Sequence, residues 1–163
     1  AMFAESNMSI GQISALVEGY EKMQGYNCIA VFNEDADRWL MCMRKKDPYK
    51  GLLNLVGGKI EPDEEHLSAA YRELEEETSI TADDIKLVHL MDYCYPLDDC
   101  FVEVYVGRLN KPIKPEGEEN RLVWTDLRRN FFDMKHYAGE GNIGHMLEHI
   151  KLHSAELLGK VIK

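Results

Sequence analysis

The sequence predicts an α/β domain in which a mixed β-sheet lies between helices. Apolar runs of strand length occur among helical stretches, but without the regular strand–helix alternation of a doubly wound parallel sheet. The chain has 163 residues, of which 45% are hydrophobic, so it has the length of one domain and enough apolar residues for one core. We therefore expect a single domain over residues 9–163. Residues 1–8 show no periodicity and are expected to be disordered or a remnant of cloning.

The domain is predicted to begin with an amphipathic helix over residues 9–24. Apolar residues recur there at three- and four-residue steps, which is the spacing of one helix face. Ser9 and Gln12 are placed as a capping box at its start, and Gly25 as its stop signal. We expect the apolar face of this helix to pack on the rest of the domain.

Three strands are predicted to follow this helix. Apolar runs at residues 26–32 and 39–44 are separated by a polar turn, and a shorter run at residues 52–56 comes after a loop. The last of these strands ends in Gly57 and Gly58. Two glycines at a strand end suggest that backbone or a ligand approaches closely there.

The second half of the chain is predicted to contain a helix, three strands and a final helix. A stretch rich in Glu, Leu and Ala predicts the first helix, and runs of β-branched and aromatic residues predict the strands. In one of these strands Val102 and Val104 alternate with Glu103. Asn142 is placed as the cap of the final helix. These elements are expected at residues 64–78, 85–93, 101–109, 122–125 and 142–160.

Charge and composition exclude several classes of function. The chain carries 19 Lys and Arg residues against 29 Asp and Glu, and its net charge of −10 argues against DNA or RNA as a partner. No apolar run has the length of a membrane span, so we expect no membrane partner. The four cysteines are too scattered for a disulfide framework, and Cys28 and Cys42 lie in strand-like runs, so we expect reduced thiols and a cytoplasmic protein. The sequence leaves a homo-oligomer open.

Three carboxylates are predicted to share one face of the helix at residues 64–78. At about 100° per residue Glu73, Glu76 and Glu77 converge, whereas Glu75 points away. Like charges at these spacings destabilise a helix, and Arg72 alone cannot neutralise three of them. Hard oxygen ligands on one face suit Mg²⁺, Mn²⁺ or Ca²⁺. The alternative for an isolated run of glutamates is an exposed, solvated acidic face.

The wider spacing around these glutamates decides between the two interpretations. It resembles the Nudix box of the Nudix hydrolase (MutT-like) family at every fixed position but one, because Ser79 stands where the family has Gly. That Gly follows the helix in a left-handed conformation, which costs a residue with a side chain about 1–2 kcal/mol. The matching residues are Gly58, Glu64, Arg72, Glu73, Leu74, Glu76, Glu77 and Ile80.

The resemblance implies the Nudix fold and hydrolysis of a nucleoside diphosphate linked to another group, at a phosphoanhydride bond. It implies Mg²⁺ as the cofactor, with Mn²⁺ as a substitute, to neutralise phosphate charge and activate water. Arg72 is expected to orient a box glutamate, and Glu73 and Glu76 are rival candidates for the general base. The metal ligands implied are the Gly57 carbonyl and the carboxylates of Glu73, Glu76, Glu77 and Glu119.

The oxidised-purine branch of the family supplies candidates for substrate recognition. Its members have a similar Asn-x-x-Gly-Gly-Lys segment, matched here by Asn54, Gly57, Gly58 and Lys59, and a similar Glu-x-Arg-x-x-Trp run, matched by the segment that starts at Glu119. An amide at Asn54 can offer a donor and an acceptor to a purine edge, although it can also bond its own loop. The expected substrate is an ordinary or oxidised purine nucleoside triphosphate, cleaved to monophosphate and pyrophosphate. Further substrate-binding candidates are Arg44, Gly58, Lys59, His136 and Tyr137.

Three alternatives remain open at this point. The first is a Nudix hydrolase of another substrate, such as ADP-ribose or a pyrimidine nucleotide. The second is a Nudix module that binds a nucleotide without hydrolysing it, which the complete set of glutamates argues against. The third is a zinc peptidase, because His145, Glu148 and His149 match the pattern HxxEH. Only three positions of that pattern are fixed, so we expect a solvated row of histidines.

Overall fold

The computed structural model describes residues 9–163, apart from the side chains of residues 12–14, 20 and 21, so the expectation for residues 1–8 lies outside the described part of the chain. Four helices and six strands follow one another in this part. They are α1 (Ile10–Glu21), β1 (Gln24–Phe32), β2 (Arg38–Met43), β3 (Leu53–Leu55), α2 (His66–Thr78), β4 (Val88–Tyr95), β5 (Cys100–Arg108), β6 (Arg121–Asp126), α3 (Asn142–Leu152) and α4 (Ser154–Leu158).

The six strands form one mixed sheet, as the sequence predicts. The strand order is β3-β2-β1-β5-β4, and β6 pairs with β2. Strands β1 and β5 are parallel, in register from Gln24 opposite Cys100 to Phe32 opposite Arg108, and the other pairs are antiparallel. A β1 strand buried at nearly every position fits this central place.

Helices cover both faces of the sheet, each over its own core. On one face Ala30, Phe32 and Trp39 pack with Ile143 and other residues of α3. On the other face the intervening residues of the same strands pack with α2. This second core consists mainly of Ile29, Val31, Leu40, Ala70, Leu74 and Ile80. The period-two alternation of the strands therefore separates two apolar layers, and α2 is held rigidly against one of them.

The first helix differs from its prediction. The described apolar side chains Ile10, Leu16 and Val17 are exposed, so they do not pack on the domain as expected. Gln12 of the expected capping box lies outside the described side chains. Gly25 is not the stop of this helix, because α1 ends at Glu21 and Gly25 is a buried residue of β1. Gly25 lies in the sheet at a position where a side chain would collide with the Phe101 ring.

The C-terminal helix is also different from its prediction, because it is broken in two. The cap residue is Gly141, in a left-handed conformation, and Asn142 is the first helical residue. Helix α3 ends at Leu152, and α4 restarts at Ser154, whose hydroxyl accepts a hydrogen bond from the Ile162 amide. Strand β4 starts later than predicted, at Val88. None of the helices in the described residues is long and apolar enough to cross a membrane.

Candidate active site on helix α2

Helix α2 begins and ends with side-chain hydrogen bonds. The Glu65 carboxylate caps its start and accepts hydrogen bonds from the amides of Leu67 and Ser68. Ser79 ends the helix at φ 64°, which confirms the predicted left-handed conformation. Its hydroxyl donates to the Glu116 carbonyl at 2.9 Å, so the loop before β6 is attached to the end of α2 and part of the conformational cost is offset.

The two glycines before the helix lie where no side chain fits. Gly57 has φ 147°, and a Cβ there would stand 2.1 Å from the Asn27 carbonyl oxygen. At Gly58 a Cβ would stand 2.4 Å from a Glu73 carboxylate oxygen. The Gly58 amide donates to Asn27 Oδ1 at 3.0 Å, and the Gly57 amide donates to Glu77 Oε2 at 3.0 Å. The predicted close approach is therefore an approach of this turn to β1 and to the box carboxylates.

Arg72 is the centre of an ion-pair network. Its Nε and Nη2 donate to the two oxygens of Glu64 at 2.6 and 2.8 Å, a bidentate pair. Its Nη1 lies 2.9 Å from Glu73 Oε1 and 3.3 Å from Glu76 Oε2. Nη2 also donates to the Lys59 carbonyl oxygen at 3.1 Å, which joins the helix to the glycine turn. One guanidinium thus holds three carboxylates of the box in place.

The electrostatics of the site favour a bound cation. Burial, together with the charges of Glu73 and Glu119, raises the pKa of Glu77 to about 7. Burial also raises the pKa of Glu73, with Glu76 and Glu119 acting in the same direction. The pKa of Glu64 is lowered to about 2 by its hydrogen bonds with Arg72. Carboxylates that repel one another while partly buried are stabilised when a positive charge joins them.

The carboxylates do not all converge on one point in this conformation. Glu73 and Glu77 are partly buried beside the glycine turn, whereas the Glu76 side chain is 59% exposed and directed to Arg72. Glu119 is exposed, in a loop whose neighbouring residue Glu116 bonds the end of α2. The predicted ligands are the anionic oxygens of these glutamates and the Gly57 carbonyl, and this chemistry fits a hard divalent cation such as Mg²⁺.

The predicted substrate-binding residues have different surroundings. Asn54 is a half-buried residue of β3, and its Oδ1 accepts a hydrogen bond from the Leu55 amide, as the alternative interpretation expects. Arg44 follows β2, is half-buried and lies close enough to Glu77 to lower the pKa of that carboxyl. Lys59 is exposed next to the glycine turn.

The C-terminal candidates are not placed as a stacking surface. Tyr137 is only 6% exposed and packs against Phe131 in the core, so its ring is not available to a base. The cause is the pairing of Leu53 with Tyr137, which draws this segment onto the sheet. His136 is exposed, and its Nδ1 lies 2.6 Å from Asp133 Oδ2. A role for Tyr137 in stacking is therefore wrong in this structure.

Sequence reasoning missed a cluster of half-buried aromatic and polar residues between β4 and α3. The Tyr93 and Tyr95 rings stack at 6.5 Å, the Asn142 amide donates to the Tyr95 hydroxyl, and Tyr49 donates to Glu140 at 2.8 Å. These residues are far apart in sequence, so only the tertiary structure brings them together. The one sequence signal is that Tyr93 and Tyr95 are two residues apart in a strand, so their side chains lie on the same face.

Asn27, in β1, was missed as well, although a polar residue in an otherwise apolar strand was a usable signal. It is 4% exposed and exchanges hydrogen bonds with Gly58. Its role in this structure is to hold the glycine turn, because its amide donates to the Gly58 carbonyl at 2.8 Å and its side chain accepts from the Gly58 amide.

The HxxEH residues of α3 do not form a peptidase site. His145 and His149 have their Nε2 atoms 3.1 Å apart, and Tyr93 contacts His145. Glu148 pairs with Lys151 instead. Within the described residues, the histidines and Glu148 are not among the groups whose ligand atoms meet closely enough to hold a metal ion. The expected apolar stripe of the helix, which includes Ile143 and Ile150, is buried.

Known structures share this fold. An Ap4A hydrolase from C. elegans, in a binary complex, superposes with a TM-score of 0.65 at 18% identity, covering 81% of this chain and 98% of that one. The NUDIX domain of Shewanella oneidensis NrtR, complexed with ADP ribose, has a TM-score of 0.64 at 16% identity and covers 90% of this chain and 99% of that one. A MutT NUDIX hydrolase from Burkholderia pseudomallei has a TM-score of 0.58 at 23% identity, covering 78% and 97%.

Sequence comparisons are more decisive about the family. No curated protein matches the chain. A profile of the NUDIX domain, however, matches residues 22–144, which include the glycine turn, helix α2 and the whole sheet. Because this match covers well over half of the chain and contains the site described above, the chain belongs to the Nudix family and is a Nudix hydrolase of nucleoside diphosphate derivatives.

Proposed function

We propose that this enzyme hydrolyses a phosphoanhydride bond of an ordinary or oxidised purine nucleoside triphosphate, with release of the monophosphate and pyrophosphate. The observation that carries the proposal is the arrangement on α2, where Arg72 holds Glu64, Glu73 and Glu76 beside the glycine turn while Glu77 accepts the Gly57 amide. An anionic substrate approaches this acidic surface only with a cation between them. The chemistry that the site supports is therefore metal-assisted hydrolysis.

The proposed ligands of Mg²⁺, for which Mn²⁺ can substitute, are the carboxylates of Glu73, Glu76, Glu77 and Glu119 and the Gly57 carbonyl. When bound, the ion neutralises phosphate charge and lowers the pKa of a water molecule. The protein's own contribution is to hold its oxygens on a rigid helix. Gly57 fixes one oxygen of Glu77 by its amide, and Arg72 fixes Glu73. Exposed Glu119 is attached to this group by the loop that bonds the end of α2.

The general base is proposed to be Glu73 or Glu76. Both contact Arg72 Nη1, but Glu73 lies closer to it and is more buried, whereas the Glu76 side chain is 59% exposed. A proton acceptor needs access to the attacking water, which favours Glu76 on exposure. The dependence of kcat on pH separates the two, because replacing the base by Gln removes the acidic limb of the profile and replacing a ligand lowers the whole profile.

Base recognition is proposed to involve Asn54. Its Oδ1 already accepts from the Leu55 amide, so its Nδ2 is the group that would donate to an acceptor on the purine edge. The half-buried rings of Tyr93 and Tyr95 replace the buried Tyr137 as candidates for stacking on the base. Exposed Lys59, with Arg44 and the Gly58 backbone, is proposed to contact phosphate oxygens.

A phosphate-release assay with Mg²⁺ tests this proposal. The substrates are 8-oxo-dGTP, dGTP, CTP, ADP-ribose and a dinucleoside polyphosphate, and the products are identified by chromatography. Preference for a purine triphosphate, with pyrophosphate as product, supports the proposal. Equal rates on CTP, or a preference for ADP-ribose, contradicts the substrate and leaves the Nudix chemistry intact. Binding of nucleotide without turnover of any substrate identifies a non-catalytic module.

The Asn54→Ala variant tests base recognition separately. It should reduce the discrimination of purine from pyrimidine triphosphates by about 1–3 kcal/mol, which is about 5- to 150-fold in kcat/KM, without changing the Mg²⁺ dependence. Asn110→Ala is the matched control, because Asn110 also makes one side-chain hydrogen bond to backbone, here as a donor to the Asp83 carbonyl, and it is exposed. An unchanged purine preference in Asn54→Ala assigns the asparagine to the structure of β3 alone.

A further inference from the structure

A second cluster of titratable side chains lies between the start of α2, the edge strand β4 and its neighbour β5. The nearest nitrogen and oxygen atoms of His89, Asp92 and Glu103 all lie within 4.8 Å of one another. His89 Nε2 is 2.6 Å from Asp92 Oδ1, and His66, the first residue of α2, has its Nδ1 2.8 Å from Glu103 Oε2. None of these residues is a fixed position of the Nudix box, although His66 lies within its span.

Glu103 is the buried member of this cluster. It is 5% exposed, and both of its oxygens are engaged, one by His66 and the other by the Tyr105 hydroxyl at 3.2 Å. Asp92 stands directly opposite Glu103 across the β4–β5 pair. Two carboxylates at directly opposed positions destabilise a sheet unless a cation lies between them. The charge pattern therefore requires positive charge at this point.

A β-bulge creates the cluster. His89 and Asp92 are three residues apart, so in a regular strand they would point to opposite faces. The pairing of β4 with β5 shifts between His89 and Met91, and this shift places both side chains on the same face. The imidazole of His89 then stacks on the Tyr105 ring at 5.1 Å, which fixes its orientation. The bulge thus places the His89 side chain beside Asp92 and Glu103.

We propose that His89, Asp92 and Glu103 bind one divalent transition-metal ion, of which Zn²⁺ is the best match. An imidazole nitrogen with two carboxylate oxygens is a donor set of borderline softness that favours Zn²⁺ over Mg²⁺, whereas the box glutamates offer oxygen alone. His66 and Tyr105 are positioning residues, because each holds one oxygen of Glu103. His89 and Asp92 are about half and more than one third exposed, so the ion can enter from solvent.

The proposed ion would join three parts of the fold. His89 and Asp92 belong to the edge strand β4, Glu103 to β5, and His66 connects the same carboxylate to the first turn of α2. The competing explanation is two independent ion pairs, His89 with Asp92 and His66 with Glu103. In that case the cluster has no greater affinity for Zn²⁺ than any other exposed His–Asp pair.

Titration calorimetry with ZnCl₂ in excess Mg²⁺, in the absence of nucleotide, distinguishes these explanations. We expect one Zn²⁺ equivalent per chain, with an affinity lowered at least about tenfold in His89→Gln and in Asp92→Asn. His136→Gln is the matched control, because the His136–Asp133 pair has the same three-residue spacing and the same 2.6 Å contact but no third ligand among the described residues. Its Zn²⁺ affinity should equal that of the wild type.

Each other outcome overturns the proposal. Binding that persists in His89→Gln and Asp92→Asn but is lost in Glu76→Gln places Zn²⁺ at the box, and loss in His149→Ala places it at the His145–His149 pair. Absence of binding in the wild type also contradicts it. Co²⁺ provides an independent readout on the wild-type chain, since its visible absorption should show ligand-field bands that excess Zn²⁺ abolishes. Both test residues are exposed, and circular dichroism confirms that each variant is folded.

Discussion

Two groups of carboxylates contact helix α2, and they differ in the cations that accompany them. The box glutamates share Arg72, whose permanent charge and planar geometry hold Glu64 by two hydrogen bonds. The β4–β5 cluster, which consists of His66, His89, Asp92 and Glu103, has no arginine among its contacts in the described part of the chain. Its carboxylates contact the imidazoles of His66 and His89 instead. The box therefore presents oxygen ligands arranged by a fixed cation, whereas the second cluster presents nitrogen and oxygen ligands together.

The two proposed sites would separate two kinds of metal chemistry within one fold. Glutamates on a helix are positioned by local geometry, because residues three and four apart share a face. The β4–β5 cluster is positioned by strand register and a bulge, which no local spacing encodes. Hard oxygen ligands with open positions suit a substrate-bridging Mg²⁺, and a mixed set at a sheet edge suits an ion that connects structural elements.

The largest expected effect comes from neutralising one ligand of the box. Glu76→Gln should keep the fold and lower kcat by about 10²- to 10³-fold, which is the scale of removing one electrostatic element of an active site. Glu75→Gln is the control, because Glu75 is an exposed neighbour on the same helix that points away from the site. Its kcat should stay within about twofold. Full activity of Glu76→Gln, or of the wild type in EDTA, contradicts the metal site.

The second-largest effect concerns the unfolding free energy of the metal-free protein. The pKa of Glu77 is about 7 in the folded chain against 4.5 for an unperturbed glutamate, mainly because of burial. Between these values the unfolded chain loses its proton first, so the unfolding free energy falls as pH rises from about 4.5 to about 7 and then levels off. The loss is up to about 3 kcal/mol at 1.36 kcal/mol per pH unit.

Urea unfolding in EDTA at several pH values measures this slope. Glu77→Gln should flatten it, and Glu75→Gln should not. Addition of Mg²⁺ should stabilise the wild type more at pH 8 than at pH 5, since the carboxylate binds the ion only when it is deprotonated. A pH-independent stability of the wild type would show that Glu77 is not strained by its surroundings.

A smaller effect is expected when Arg72, which holds the box carboxylates, is replaced by a cation of different shape. Arg72→Lys retains the charge but cannot bond both oxygens of Glu64 at once. We expect kcat/KM to fall about tenfold, the equivalent of about 1.4 kcal/mol, with the metal dependence retained. Arg128→Lys is the matched control, because Arg128 bonds Asp126 with the same fork on the exposed surface. If Arg72→Lys behaves like this control, charge alone accounts for the role of Arg72.

The smallest effect concerns the end of α2. Ser79→Gly relieves the left-handed conformation but loses the hydrogen bond to Glu116 and adds backbone freedom, so the unfolding free energy should change by less than about 1 kcal/mol. Ser79→Ala retains the strained conformation and loses the bond, and it should destabilise by about 0.5–1.5 kcal/mol. Thermal unfolding of both variants separates the two contributions. A larger gain in unfolding free energy in Ser79→Gly would mean that the Ser79 hydroxyl offsets little of the cost of the left-handed conformation.

Sequence alone predicted the parts of this protein that depend on short-range geometry. The acidic face of α2 and the glycine turn follow from spacings of a few residues, where helix periodicity and steric limits act directly. The left-handed residue at Ser79 was implied by the resemblance to the Nudix box, which has Gly at this position. The strand runs followed from their length and composition. The ends of the elements were predicted less well. Strand β4 was expected to begin at Ile85, but it begins at Val88, and Ile85 forms only an isolated bridge to Leu109.

Only the tertiary structure decided which distant residues meet. The break between α3 and α4 and the burial of Tyr137 depend on packing across the sheet, for which a single sequence carries no periodic signal. The same holds for His89, whose direction is set by the register shift in β4. Helical neighbours are fixed by covalent spacing, whereas neighbours across strands are fixed by pairings between segments far apart in the chain, and these form only when the sheet assembles.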